Sequence, residues 1–194
     1  MTSRFFLLIT AAALLPLPPA FANPAEAQQR LRSAVGEVLA IADGSSSSAA
    51  FASKVRPTLE RHISFDTMTS RAVGVGWRQF TQEQRKRAVQ LFTSVIIRTY
   101  TEKFTPGEHP QITYQNAVSP AAGRVDVPTR MVYRGSKYNV TYRMENIGGW
   151  RIADVVIEGV SLVANYRAQL GPTFSKGGAA AVISSLEQSV SRRS

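Results

Sequence analysis

The feature that most constrains this chain is a change of hydrophobic period at Pro110. Before it, apolar residues recur at three- and four-residue spacing, the repeat of a helix with one buried face. Beyond it, from Ile112 to Ile157, they alternate, as in a strand with one face against a core. A helical repeat returns at Ser161. Helices, then strands, then helices predict an α+β fold, with helices gathered against one face of an antiparallel sheet.

Within the first block, Leu31, Val35, Val38 and Leu39 share one face of a helix over residues 24–42, which ends near Asp43-Gly44. The serine run 45–48 reads as a turn whose last member caps a second helix through Phe51, Val55 and Leu59, kinked or restarted at Pro57. Ser64 or Asp66 can cap a short helix carrying Met68 and Val73, and Gly74 stops it before a Gly74-to-Trp77 loop. Thr81 to Gln84 fits a capping box and opens a long helix to about Phe104, which Pro106-Gly107 ends.

The alternating stretches are 112–115, 123–133, 138–144 and 150–157. Short glycine-bearing links at 134–137 and 146–149 suit the hairpins of a meander. Two closing helices, 161–170 and 178–190, are separated by Gly171-Pro172 and by residues 176–178.

The first 22 residues read as a cleaved signal peptide. Arg4 supplies the positive start, Phe5 to Leu17 the short apolar run, and Ala20-Phe21-Ala22 the small-x-small cleavage site. The run is too short for a bilayer span and is interrupted by Pro16, Pro18 and Pro19. An exported product of roughly 170 residues is the size of one domain with one core. It has no cysteine, so packing alone must hold it. Losing Arg4 lowers the formal charge from +10 to +9, which favours anionic lipid or acidic membrane-bound partners. Export, together with basic residues scattered from Arg30 to Arg193, argues against nucleic acid as a partner.

A search for chemistry finds little. His62 and His109 stand apart from any second histidine or carboxylate pair at ligand spacing, so they read as surface or structural residues, with no metal or cofactor implied. There is no Gly-x-Ser-x-Gly turn, and Gly74-x-Gly76 lacks the rest of a phosphate loop. The run Arg85-Lys86-Arg87 reads as a solvated face or, less simply, a docking patch for an acidic partner. Spacing alone assigns the aromatic residues to ordinary core.

Two blocks carry a resemblance. The first holds Val73-Gly74-x-x-Trp77, Gln84-Arg85 and a helix from Phe92 to Tyr100. The second runs Val140-x-Tyr142-Arg143, then Gly149-Trp150-Arg151-Ile152-x-Asp154-Val155-x-Ile157-Glu158-Gly159-Val160-Ser161-Leu162-Val163-x-Asn165-Tyr166-Arg167. They resemble the MlaC family, also called toluene-tolerance or auxiliary ABC-transport proteins, with Arg151 where the family commonly has lysine. The resemblance extends over nearly the whole mature chain.

It implies an NTF2-like shape, a curved antiparallel sheet and helices around an apolar cavity, and a periplasmic, non-enzymatic carrier of phospholipid held by two acyl chains. The lipid could equally be hopanoid-like. The implied partners are an inner-membrane ABC transporter complex and an outer-membrane lipoprotein complex, served by a monomer.

On the family's motif positions, the expected wall is Val73, Trp77, Phe92, Ile96 and Tyr100 from helices, with Val127, Val140, Tyr142, Ile157, Val160 and Leu162 from the sheet side. Arg143 and Arg167 are expected at the mouth, where a guanidinium can hold a phosphodiester or else pair with Asp154 or Glu158. The competing expectation is an NTF2-like enzyme acting on a small apolar substrate. It requires a carboxylate or histidine at an inward-facing strand position, and Asp126 and Asp154 are the strand acids that could qualify.

Overall fold

The computed structural model describes residues 23–192, so the expected leader lies outside the described residues. Helix α1, Pro24–Asp43, starts where Asn23 accepts a hydrogen bond from the Glu26 amide at 3.3 Å and Pro24 presets the first turn. Helix α2, Ser48–His62, is capped by Ser47. Pro57 does not break it: Pro57 and Ser53, whose carbonyl loses its amide partner, are both exposed, so water can satisfy the freed oxygen. Helix α3 is Phe65–Val73, and Gly74–Gln79 forms a 3₁₀ turn where the sequence predicts a loop.

The capping box of α4, Gln82–Thr101, is complete. The Thr81 amide donates to Gln84 Oε1 at 2.9 Å, and the Gln84 amide donates to Thr81 Oγ1 at 3.2 Å. Helix α5, Leu162–Ser191, passes through Gly171-Pro172 and departs from helical geometry only at Gly177-Gly178.

Strands β1 Gln111–Tyr114, β2 Val118–Ala121, β3 Arg124–Tyr133, β4 Ser136–Asn146, β5 Trp150–Ile157 and β6 Val160–Ser161 form one antiparallel sheet. Its order is β1-β3-β4-β5-β6, and β2 pairs with the other half of β3 beside β1. β3, β4 and β5 are the expected meander. β2 gives no alternating signal because it is four exposed residues, Pro120 among them, at an edge. The β3–β4 link turns on Arg134 and Gly135, both at positive φ, which matches the twist of a two-residue hairpin.

Between Arg143 and Met144 the β4–β5 register slips, leaving Ala153 unpaired. The bulge lets Trp150 and Ile152 share a face with Val155 and Ile157, and such bulges bend a sheet. Beyond β5, Ile63 forms a parallel bridge with Ile152, and the Ser64 amide donates to the Ile152 carbonyl at 2.9 Å, which ties the start of α3 to the sheet.

Two apolar clusters result. One joins α2 to α5 around Met68, Phe92, Val182 and Leu186. The other packs α1, through Ala27 and Leu31, onto Val125, Val127, Met144, Trp150 and Ile152 of the sheet.

Candidate functional site

Between the two clusters lies a cavity of about 260 Å³. Its helical wall is the inner face of α1 and α2, with Val35, Val38, Leu39, Phe51, Val55 and Leu59, and the middle of α4, with Ile96, Ile97 and Tyr100. Met131, Val140, Tyr142, Ile152, Val155 and Ile157 form the sheet wall, alternating with residues on the other face. Thr105 and Glu108 line the cavity and are also exposed, so the chamber reaches solvent beside the segment between α4 and β1. Leu31 and Ile152 belong both to the chamber's lining and to the α1–sheet cluster.

Of the wall expected from motif positions, Ile96, Tyr100, Val140, Tyr142, Ile157 and Leu162 line this chamber. Five do not. Val73 and Phe92 are buried, and Trp77 half-buried, in the cluster among α3, α4 and α5. There Phe92 meets Tyr166 edge-on at 5.0 Å between ring centroids, and Trp77 packs on Phe80 at 5.1 Å. Val127 is sealed under α1 in the second cluster. Val160 is 61% exposed, on the two-residue edge strand β6 that follows the Glu158-Gly159 turn, both of whose residues have positive φ.

The two arginines expected at the mouth lie elsewhere. Arg143 is on the opposite face of β4 from Val140 and Tyr142, and its Nη1 is 3.1 Å from Asp154 Oδ2. Asp154 also accepts from Ser161 Oγ at 2.6 Å and from the amides of Val155 and Val163, so it pins the start of α5 to β5. Arg167 lies against Gly74, where an added Cβ would meet its Nε at 3.1 Å.

Asp126 shares the outer face with Arg143 and Asp154. Burial raises its pKa, Arg143 opposes that rise and Asp154 adds to it. Neither acid points into the chamber. The charge at the opening is instead Glu108, held by Arg134 at 2.8 Å. The hydrogen bond from Arg134 keeps the Glu108 carboxyl below its ordinary range, against a smaller opposing effect of burial.

A chamber with this apolar lining is suited to holding apolar chains, and the two strand acids considered from the sequence, Asp126 and Asp154, are not among its lining residues. The comparisons agree. The MlaC family, described as MlaC protein, matches residues 31–188. The chain belongs to the MlaC family. Among solved structures it is similar to a phospholipid-binding protein from Ralstonia solanacearum, determined in complex with a phospholipid. The two are 26% identical and superpose with a TM-score of 0.79 over 87% of this chain and 98% of the other. No curated protein sequence matches the chain.

For an MlaC chain read from sequence, the largest omission was the α1–α2 wall. Its amphipathic faces were legible, but nothing in a period of 3.6 says whether a face meets atoms or space. His62 was also missed. It is 6% exposed and lines the chamber, where reading the sequence alone makes it a surface or structural residue. The signal was available, since Phe51, Val55 and Thr58 lead to His62 along one buried stripe of α2.

Proposed function

We propose that this chain carries phospholipid through the periplasm of a Gram-negative cell, with acyl tails in the chamber and headgroup at the Thr105–Glu108 opening. The apolar chamber carries the proposal. The family, and the phospholipid held by a protein of the same fold, support it. Each methylene withdrawn from water is worth ~0.8 kcal/mol, so lipid tails need such a shelter to cross an aqueous space.

On this reading Ile96, Tyr100, Val140, Tyr142, Ile157 and Leu162 contact the tails, joined by Val38, Leu39 and Leu59. The protein acts as a binding module and not as an enzyme. It exchanges lipid with an inner-membrane ABC transporter complex and an outer-membrane lipoprotein complex, and the transporter spends the ATP. A formal charge of +10 over the whole sequence favours approach to anionic surfaces.

The test is to purify the mature chain, extract it with organic solvent and identify bound lipid by mass spectrometry. About one phospholipid per chain is expected, and repeated recovery of empty protein that also takes up no lipid from vesicles would end the reading. Transfer of labelled phospholipid between two vesicle populations, accelerated by the protein, separates a shuttle from a protein that only stores lipid.

A further inference from the structure

The Gly74–Gln79 turn between α3 and α4 is seated on α5 by its backbone and its rings. Gly76 lies so close to α5 that an added Cβ would meet the Phe174 ring at 2.5 Å. Trp77 packs on Phe80 at 5.1 Å, and Phe80 stacks near Phe174 at 6.0 Å between centroids. Val75, between Gly74 and Gly76, is left 78% exposed, more than Val118, Ile147 or Val160. The turn is thus held in place with its valine in water.

One exposed valine is ordinary on a protein surface, and what sets this one apart is the charge around it. Arg167 reaches from α5 to Gly74, where an added Cβ would meet its Nε at 3.1 Å. Arg78 is exposed within the turn itself. Arg85, on the first turn of α4, donates from Nη2 to the Arg78 carbonyl at 3.3 Å, with its guanidinium 5.7 Å from the centre of the Trp77 ring. No carboxylate of the described residues comes within 4.0 Å of these three guanidinium groups. Glu83 is the one acidic residue between Asp66 and Glu102, and α5 contributes only Glu187, which Arg87 holds at 2.7 Å. The turn therefore stands in positive potential.

An apolar tip among guanidinium groups fits the surface of an anionic bilayer. Arginine matches phosphodiester oxygens, and a short apolar side chain can enter the headgroup layer. A second copy of this chain, equally basic, would be repelled. A purely acidic protein face would pair with the arginines but offer the valine nothing apolar to enter. The tip also stands apart from the chamber's opening. It adjoins the first turn of α4, whereas Thr105 follows the last, and the twenty residues of that helix span ~30 Å.

We propose that the Gly74–Gln79 turn, with Val75 at its tip and Arg78, Arg85 and Arg167 around it, is a contact site for an anionic lipid bilayer, separate from the lipid opening. A chain resting on this turn keeps the Thr105–Glu108 opening away from the bilayer and free to face a partner that stands on the same membrane. The contact does not depend on the chamber being loaded.

The chain has no cysteine, so Val75→Cys can carry a single NBD fluorophore, with Val118→Cys, Ile147→Cys and Val160→Cys as comparisons at other exposed apolar positions. With vesicles of phosphatidylglycerol and phosphatidylcholine, the fluorophore at 75 should brighten and shift to the blue, while the other three stay as they are in buffer. Vesicles of phosphatidylcholine alone should move none of them. In sedimentation of the unlabelled mature chain with the anionic vesicles, Arg78→Glu combined with Arg167→Glu should weaken binding at least about tenfold, since each basic side chain at such a surface is worth about fivefold. Arg130→Glu with Lys137→Glu, the same change of charge on the outer face of the sheet, should weaken it about threefold or less. Val75→Ser, which leaves the charge alone, should cost about threefold. Equal shifts at all four labelled positions, equal losses from the two pairs of reversals, or no binding to anionic vesicles overturns the contact site and leaves the carrier reading intact. A fluorophore at 75 that answers polyglutamate or added unlabelled chain, and no vesicle, assigns the turn to a protein surface and overturns it as well. A chamber that takes up no lipid would end the carrier reading without touching this one.

Discussion

Two interiors built from the same kinds of side chain behave differently in this molecule. Among α3, α4 and α5, Phe92, Val182 and Leu186 are sealed to 2% exposure or less and fill the space between helices. A short distance away, α1 and α2 face the sheet across a chamber. The difference lies in what each helix face meets. Among α3, α4 and α5 helix packs directly on helix, whereas the inner faces of α1 and α2 stand opposite β4 and β5, whose pairing slips at Ala153 and so bends the sheet. Filled core comes from helices that meet directly, and hollow core from helices opposite a bent sheet.

The largest expected effect tests that contrast directly. Phe92→Ala should lower unfolding free energy by ~3–5 kcal/mol in denaturant titration, since it removes a ring from a packed site. Ile157→Ala, on the chamber wall, should cost ~1 kcal/mol, because its side chain already borders empty space. Similar losses at both sites would erase the distinction between the two interiors.

The next effect belongs to Tyr142, which lines the chamber and whose phenol is desolvated by burial. Its pKa is about 12 in the fold, against 10.0 ordinarily, so the unfolded chain releases this proton first as pH rises. Stability is therefore complete below pH ~10 and should fall by ~3 kcal/mol across the window to about 12. Tyr142→Phe should flatten that part of the pH profile. An unchanged slope would place the ring in ordinary solvent contact.

Val38→Trp separates the interiors by function. The added rings have room in the chamber, so stability should change by ~1 kcal/mol or less, while bound phospholipid recovered by extraction drops at least about tenfold. Overpacking Ala72, which is fully buried among α3, α4 and α5, should instead destabilise by ~1–3 kcal/mol.

The smallest effect lies at the opening. Arg134 holds the Glu108 carboxyl below its usual pKa, so its contribution is present above the unfolded value of about 4.5 and fades as pH falls further. Glu108→Gln should remove that shallow acid slope from the thermal unfolding profile without altering lipid recovery.

The same contrast explains what was legible in the sequence. The helix and strand order, the Thr81 capping box and the β3–β4–β5 meander followed from period and turn chemistry, which act locally. Family motif positions led to Ile96, Tyr100, Val140, Tyr142, Ile157 and Leu162, all on the chamber wall. They also led to Phe92 and Trp77, which pack solid core, because a motif marks buried aromatic residues without separating packing from lining. Arg143 shows the limit for strands. One step of alternation puts it on the opposite face from Tyr142, and its partner Asp154 is committed to the start of α5. The Glu37–His62 contact joins two helices and carries no local signal at all.

The bridge from Ile63 to Ile152 has a consequence for life at high concentration. A sheet with bare backbone donors and acceptors along its rim invites another chain to add a strand, and fibrils grow that way. In this molecule one rim is occupied by the Ile63–Ser64 backbone and the two-residue β6. The other is divided between two four-residue strands, one interrupted by Pro120 and an irregular register. Neither rim thereby offers the flat ladder on which copies of the chain could polymerise.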